Sequence, residues 1–377
     1  MSAPILAGTE DQPQARMVLR SALSTGPSHA YLFHGPAGTG KRTAARAFAA
    51  ELLAEGAAEP GDVRRRALAG VHPDLTWVRP TGAHVMRTSD VDGPVIAAAS
   101  RTPFEARRRV FVLERVETMN DEVANRLLKT LEEPAWFVHL ILVTEALGRV
   151  LETVRSRCQL VRFYPLPAER IAAMLEDDGV APERALACAR LALGNAGRAR
   201  ALASPEGEEL RDEVERFLAA ALGAEEGPAD EEPWRPLLAR AERRRAEAEE
   251  AGARERRRRL ELEPEGRERR AMERELEEAA RRDARRARTE VLDLGLVLAT
   301  LGLRDLVCLA EDAEGAVLTT DRTGELAAWA RGRDPRRLRE AAERCEEARL
   351  ALELNVNEEL ALSALGFRLA GLVGVPE

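Results

Sequence analysis

The chain is poor in aromatic residues, lysine and cysteine. Aromatic side chains make up 4% of its 377 residues. The four cysteines lie far apart, and no pair has the spacing of a metal or redox motif, which fits a reducing compartment. No apolar run approaches the roughly 18 residues of a membrane helix. The first residues also lack the basic segment and apolar stretch of a secretion signal. We therefore expect a cytoplasmic protein without membrane contact.

The charge balance limits the kinds of nucleic-acid contact. The net charge is −8, whereas a protein that coats DNA is normally basic, so any contact must come from a local patch. Alanine, leucine, glutamate and arginine dominate, which predicts a mostly helical chain. The only lysines are Lys41 and Lys129, and both lie inside motifs.

The middle of the chain alternates between apolar strands and polar helices. Residues 110–113 predict a strand, and a helix follows with Asn120 as its N-cap and Pro134 at its end. Residues 140–143 and 160–163 predict two more strands. A β-α-β-α-β order indicates an α/β fold with a parallel sheet, whose chemistry lies at the carboxyl ends of the strands.

A glycine-rich motif of the form G-x-x-x-x-G-K lies between a predicted strand at residues 31–33 and a predicted helix at residues 43–54. Its glycines allow backbone N–H groups to surround a phosphate at a helix N-terminus, and a lysine supplies the positive charge. This pattern predicts a P-loop for a nucleotide. The predicted nucleotide-binding residues are Gly35, Gly38, Gly40, Lys41, Arg42 and Thr43.

Two motifs depart from the pattern of an active P-loop ATPase. Arg42 stands where a Ser or Thr normally holds Mg²⁺, and Thr43 comes one place too late. After the strand at residues 110–113, the usual Asp-Glu pair is Glu114-Arg115. A cation cannot polarise the attacking water. We therefore expect no Mg²⁺ at this site and little or no hydrolysis by the chain itself, while the binding of ATP stays open.

Three motifs together resemble one family. The P-loop, the sequence LLKTLEEP at residues 127–134 and the triplet Ser156-Arg157-Cys158 closely resemble the AAA+ subunits of the bacterial DNA polymerase III clamp loader. Further on, residues 194–199 (GNAGRA) resemble the sensor-2 element, and residues 355–371 resemble the end of the collar. The resemblance implies an AAA+ P-loop domain at 1–165, a small helical lid at 166–204 and an all-α collar at 205–377.

The resemblance also implies roles for single residues. Arg157 corresponds to the arginine finger, which reaches ATP in a neighbouring subunit. Thr144 corresponds to sensor 1, although a hydroxyl at that position could also only satisfy backbone groups. Arg198 corresponds to sensor 2. The implied partners are the gamma/tau and delta subunits in a hetero-pentamer, the sliding clamp and primer–template DNA. The chain would then be an accessory subunit of a DNA-directed DNA polymerase.

Two alternatives remain beside this interpretation. With Arg42, Glu114 and Arg115 in place of the usual residues, the chain resembles the delta-prime type of subunit. The first alternative is a gamma/tau-like motor subunit that hydrolyses ATP. A motor subunit would also carry cysteines for zinc ahead of His72, and none is present there, so we expect no zinc. The second alternative is an unrelated P-loop enzyme such as a small-molecule kinase.

One stretch within the predicted collar is outside the resemblance. Residues 240–288 consist almost entirely of arginine, glutamate and alanine, with a break at Pro264-Glu265-Gly266. Mixed charges at i,i+4 spacing predict a solvated helical hairpin, inserted at about 238–290. A basic arm that binds DNA is the alternative, and residues 254–259 are its candidate patch.

Overall fold

The computed structural model describes residues 6–81, 85–224, 232–261, 266–352 and 356–374. The chain forms two compact units. The first contains Met1–Pro167 together with Gly194–Ala196, and the second contains Ala168–Leu193 with Gly197–Glu377. The division of the second part into a lid and a collar stays a prediction.

A five-stranded parallel sheet forms the centre of the first unit, as predicted. Its order is β2-β3-β4-β1-β5. The central strand β4 is buried at every position, which explains the apolar run at its residues 140–143. The strands are β1 (Ala30–His34), β2 (Leu75–Val78), β3 (Arg109–Glu114), β4 (Val138–Thr144) and β5 (Gln159–Arg162).

Helices cover the sheet and bury two apolar clusters against it. One cluster contains Phe33, Phe48 and Phe163, and the other contains Phe111, Leu127 and Leu131. Asn120 caps α5 as predicted, because its side-chain oxygen accepts a hydrogen bond from Val123 N at 2.9 Å. The helices are α1 (Pro13–Thr25), α2 (Lys41–Ala54), α3 (Pro60–Ala69), α4 (Thr88–Val91), α5 (Asp121–Glu132) and α6 (Glu152–Arg155).

Two further helical segments lie between α2 and β3. The polar stretch 55–74 contains α3, which begins at Pro60 and ends before Gly70 with φ +76°. Only Val63 and Ala67 of α3 are buried, so its periodicity in the sequence is weak. The short helix α4 passes directly into a π-helix at Asp92–Ala97. Pro94 within it has no backbone N–H, which prevents a regular α-helical hydrogen bond there.

The regular secondary structure of the described part of the second unit is helical, as expected from its composition. The long helices α11 and α12 form the predicted hairpin, and α12 continues into the core of the unit. No described helix combines the length and the apolar composition that crossing a membrane requires. The helices are α7 (Ala168–Asp177), α8 (Pro182–Leu191), α9 (Ala196–Ala203), α10 (Pro205–Leu222), α11 (Arg235–Leu260), α12 (Arg267–Ala310), α13 (Thr323–Ala330), α14 (Pro335–Leu352) and α15 (Glu358–Val373).

The prediction of a solvated hairpin is wrong at its base. Arg240 is only 6% exposed, and its guanidinium donates to Glu213 at 2.7 Å and to Glu209 at 2.9 Å. Ala241 is fully buried beside it. Further along α11, exposed pairs such as Arg245–Glu249 follow the expected i,i+4 pattern. The predicted break at Pro264 and Glu265, and Asn355 at the start of the collar-like motif, lie outside the described residues.

Candidate functional site

The carboxyl ends of three neighbouring strands bring the predicted nucleotide residues together. The P-loop follows β1, Glu114 ends β3 and Thr144 ends β4. In the parallel register, His34 of β1 lies opposite Thr144. The site therefore occupies the edge of the sheet that the alternating pattern of strands and helices predicts.

The three P-loop glycines adopt backbone conformations that favour glycine. Gly35, Gly38 and Gly40 have φ values of +141°, +70° and +90°. Gly40 is also the N-cap of α2, so the loop turns directly into the first helical N–H groups. This geometry suits an anion at the helix N-terminus, as the motif indicates.

Lys41 is turned into its own loop. Its ammonium donates to the carbonyl oxygens of Gly35 at 2.6 Å and Pro36 at 2.5 Å, and the residue is only 4% exposed. Burial lowers the pKa of Lys41 to about 8, although Glu145 and Glu117 act in the opposite direction. The positive charge of the motif is thus held by backbone carbonyls and two nearby carboxylates.

Arg42 and Glu114 occupy the corner where an active site of this type holds Mg²⁺. Glu114 is 4% exposed and accepts hydrogen bonds from Trp77 Nε1 at 2.5 Å and Arg79 Nε at 3.2 Å. Arg42 Nη1 lies 3.4 Å from the other carboxylate oxygen. A guanidinium carries a charge but donates no lone pair to a metal. These residues therefore do not fit a Mg²⁺ ion.

The residue after Glu114 is also unsuited to activating water. Arg115 follows β3 in a left-handed conformation with φ +55°, which is costly for a residue with a side chain. Glu117 lies beyond it, outside the strand, and the hydroxyl of Thr144 donates to Glu117 at 2.6 Å. Thr144 also accepts from Ala146 N at 3.1 Å. The hydroxyl of Thr144 is therefore hydrogen-bonded both to a carboxylate and to the backbone. Its sensor role stays a prediction.

Sequence reasoning missed two segments that pack on the P-loop. Gln12 bridges the loop and the chain after β5, since its amide donates to Tyr164 O at 2.7 Å and accepts from Tyr164 N at 2.8 Å. Gly8 lies against the start of α2, where a Cβ would be 2.8 Å from both Gly40 O and Thr43 Cβ. Neither residue belongs to a recognisable motif.

The second missed contact comes from the GNAGRA motif. Asn195 packs so closely on Gly38 that a Cβ at Gly38 would be 1.7 Å from the Asn195 side-chain oxygen. Asn195 belongs to the short segment that is part of the first unit, whereas Arg198 of the same motif belongs to the second. The sequence identified this motif, but it indicated Arg198 as the functional residue and not Asn195. The sensor-2 role of Arg198 stays a prediction.

Arg157 lies after α6, outside the P-loop corner. Its Nη2 is 2.5 Å from the carboxylate of Glu132, and its Nη1 donates to Thr153 O at 2.9 Å. The side chain is 35% exposed. Cys158 beside it is no nucleophile, because burial raises the pKa of its thiol to about 12. The partly exposed guanidinium of Arg157 is therefore the charged group of this triplet that an outside ligand can reach.

No metal site emerges from the part of the chain that the structure describes. Those residues contain no cluster of three or more His, Cys, Asp or Glu side chains that could hold a metal ion. The absence of zinc stays a prediction, because it concerns the whole chain.

Comparison with known proteins finds a family model that is similar to most of the first unit. The family model described as "DNA polymerase III, delta subunit" matches residues 11–167. DNA polymerase III subunit delta' of Bacillus subtilis is 35% identical over 181 residues, which is 47% of this chain and 54% of that protein. The subunit of the same name from Pseudomonas aeruginosa is 38% identical over 145 residues, 37% of this chain and 44% of that protein. The chain thus matches about half the length of these relatives.

One solved structure is similar over a greater length of the chain. The DNA polymerase III gamma subunit-related protein of Thermotoga maritima covers 96% of this chain and 99% of its own at 15% identity, with a TM-score of 0.43. That similarity is too distant to assign the second unit. Residues 11–167 are therefore similar to the family described as "DNA polymerase III, delta subunit", and the chain is similar to the delta' subunits of these two bacteria.

Proposed function

We propose that the chain is a delta-prime-type subunit of a bacterial clamp loader. In this proposal it joins gamma/tau and delta subunits in an AAA+ hetero-pentamer that loads the sliding clamp onto primer–template DNA. Such a role places it in the cytoplasm, as an accessory subunit of a DNA-directed DNA polymerase.

The observation that carries the proposal is the contrast between two arginines. Arg42 is paired with Glu114 in the chain's own P-loop corner, and its guanidinium has no lone pair to offer a metal ion there. Arg157 lies outside that corner with part of its guanidinium exposed. A chain built in this way is suited to completing a neighbour's ATP site and unsuited to hydrolysing ATP alone. ATP could still bind at Lys41, but we propose that any such binding is not catalytic.

Arg157 has the chemistry that a finger needs. A guanidinium is always charged, and its planar fork matches a phosphate through two parallel N–H donors. Placed against the phosphates of a neighbour's ATP, it stabilises the negative charge of the transition state. Fingers of this kind are worth roughly 10³–10⁵ in rate in well-studied GTPases.

The test compares the isolated chain with a reconstituted complex. The isolated chain should hydrolyse ATP negligibly. In a complex with gamma/tau and delta subunits, Arg157→Ala should lower clamp- and DNA-stimulated ATPase and slow clamp loading. Arg157→Lys should also perform poorly, because an ammonium lacks the planar fork. The fall in total ATPase should be smaller than the finger's full effect, because other sites keep their own fingers.

Arg155→Ala provides a matched control two residues away, since Arg155 pairs with Glu152 of its own helix. It should leave the ATPase of the complex unchanged. Equal ATPase and loading in the wild-type and Arg157→Ala complexes, at equal assembly, would refute the finger role. Substantial turnover by the pure chain, abolished by Lys41→Ala, would favour the motor subunit instead.

A further inference from the structure

Arg157 lies in a shallow cavity beside the end of α5. The cavity has a volume of about 530 Å³ and is lined by His29, Leu131, Glu132, Ser156 and Arg157. Glu132 is the last residue of α5, so its side chain projects from the helix end toward the segment after α6. The Nη2 atom of Arg157 lies 2.5 Å from the Glu132 carboxylate.

The guanidinium is held by its own chain at both of its terminal nitrogens. While Nη2 contacts Glu132, Nη1 donates to Thr153 O at 2.9 Å and lies 3.4 Å from the Ser156 hydroxyl. A guanidinium has five N–H donors in a fixed plane. Because these contacts use donors at both ends of that plane, Arg157 cannot offer its full set of donors to an outside phosphate without giving some of them up.

We propose that Glu132 is a positioning residue that holds Arg157 against its own subunit until the phosphate of a neighbour's nucleoside triphosphate replaces it. This inference rests on the proposed function, since it concerns the same arginine. Glu132 is then a second residue of the mechanism. Arg157 has two positions, one against Glu132 and one against the neighbour's phosphate.

The strength of the contact is suited to such an exchange. The side chains of Arg157 and Glu132 are 35% and 48% exposed, so water screens the pair. Ion pairs of this kind shift an equilibrium by about 1.4- to 5-fold. A phosphate carries more charge than a carboxylate and forms charge-assisted bonds with both arms of the fork. It therefore displaces Glu132, while the released carboxylate remains free to recapture Arg157 when the phosphate leaves.

Glu133 provides a matched control. It is the next residue, it carries the same charge, and it is exposed at the C-cap of α5. Among the described contacts, it forms no ion pair with Arg157. Glu132→Gln and Glu133→Gln therefore remove one negative charge each from adjacent positions, and only the first removes the partner of Arg157.

The first measurement uses the isolated chain and does not depend on clamp loading. Arginine side chains are modified with phenylglyoxal, and the rate at Arg157 is followed by peptide mass spectrometry. Glu132→Gln should raise this rate about 2- to 5-fold, while Glu133→Gln leaves it unchanged. An equal rate at Arg157 in the wild type and in Glu132→Gln, with Glu132→Ala giving the same result, would overturn the proposal.

The second measurement uses the complex with gamma/tau and delta subunits. Glu132→Gln should lower the KM for ATP by about 2- to 5-fold, because ATP no longer has to displace Glu132 from Arg157. The kcat should stay unchanged, because the engaged finger no longer contacts Glu132. In an Arg157→Ala background, Glu132→Gln should have no effect. A fall in kcat would overturn the proposal, since it would mean that Glu132 acts in the engaged state or merely supports the fold.

The two proposals fail in different ways. If Arg157→Ala leaves the ATPase of the complex unchanged, the finger role itself is wrong. If Arg157→Ala slows hydrolysis while Glu132→Gln changes neither the KM nor the modification rate, the finger role stands and only the role of Glu132 is refuted.

Discussion

His139 on β4 is a buried imidazole whose neighbours fix its protonation state. It is 3% exposed, and Arg108 Nη1 lies 2.6 Å from its Nε2. Because an arginine only donates hydrogen bonds, Nε2 must accept, and the proton is on Nδ1, which donates to Ser28 O at 2.9 Å. The pKa of His139 is lowered to about 4, chiefly by burial and also by the positive charge of Arg108, while the hydrogen bond to the Ser28 carbonyl acts in the opposite direction.

This depressed pKa predicts an acid-dependent loss of stability. The unfolded imidazole has a pKa near 6.5, so between pH 6.5 and pH 4 the unfolded state binds a proton that the folded state does not. The contribution of His139 is complete above pH 6.5 and is lost as the pH falls toward 4. From pH 7 to pH 5, we expect the free energy of unfolding to fall by about 2 kcal/mol more in the wild type than in His139→Gln. Urea unfolding at both pH values measures this, and equal losses in the two proteins would contradict it.

The pair formed by Arg42 and Glu114 should be asymmetric in its effect on stability. Glu114 is buried and accepts from Trp77 and Arg79, so Glu114→Ala leaves donors without an acceptor and should cost about 1–3 kcal/mol. Arg42 has a side chain that is 64% exposed, so Arg42→Ala should cost below about 1 kcal/mol. Chemical unfolding of the two variants is the measurement. A larger loss in Arg42→Ala would show that the guanidinium, and not the carboxylate, holds this corner together.

At the scale of elements, α11 contains two arginines in contrasting surroundings. Arg240 is 6% exposed and pairs with Glu213, which is itself 7% exposed. Arg245, less than two turns later, is 42% exposed on its side chain and forms only i,i+3 and i,i+4 pairs. The base of the hairpin therefore belongs to the folded core, while its continuation is held by weak surface pairs.

This contrast gives a matched pair of variants on one helix. Arg240→Ala leaves the buried carboxylate of Glu213 without its partner and should destabilise the chain by about 3–5 kcal/mol. Arg245→Ala should change stability by about 0.5 kcal/mol or less. Thermal unfolding followed by circular dichroism compares them, and similar midpoints would mean that Arg240 is not a structural anchor.

The sequence was sufficient for the elements that depend on local pattern. Strands β3 and β4 carry apolar runs at residues 110–113 and 140–143, the P-loop glycines have a fixed spacing, and Asn120 is a recognisable cap. The failures concern contacts between distant residues. Asn195 meets Gly38 across 157 positions of sequence, and Arg240 is buried because Glu213 and Glu209 lie opposite it. An arginine in a charged stretch has the same sequence signal whether it is solvated or buried, so only the packing of α10 against α11 distinguishes the two cases.

At the scale of the whole molecule, the scattered cysteines predict a chain without structural zinc. Cys158, Cys188, Cys308 and Cys345 are free, and closed zinc sites normally depend on several thiolates close together. Elemental analysis of the purified chain should find well below one zinc per molecule. A stoichiometric, tightly held zinc ion that survives dialysis against a chelator would contradict this prediction.

The first compact unit is not continuous along the chain, and this affects the order in which it is made. Residues 168–196 must be synthesised after Pro167 before Asn195 can reach Gly38. At ~5–20 residues per second, a ribosome needs roughly 1.5–6 seconds for that distance. During this interval, all five strands of the sheet have been synthesised, but the P-loop lacks the side chain that packs on it. The nucleotide loop therefore acquires its final surroundings only after the next two helices have been translated.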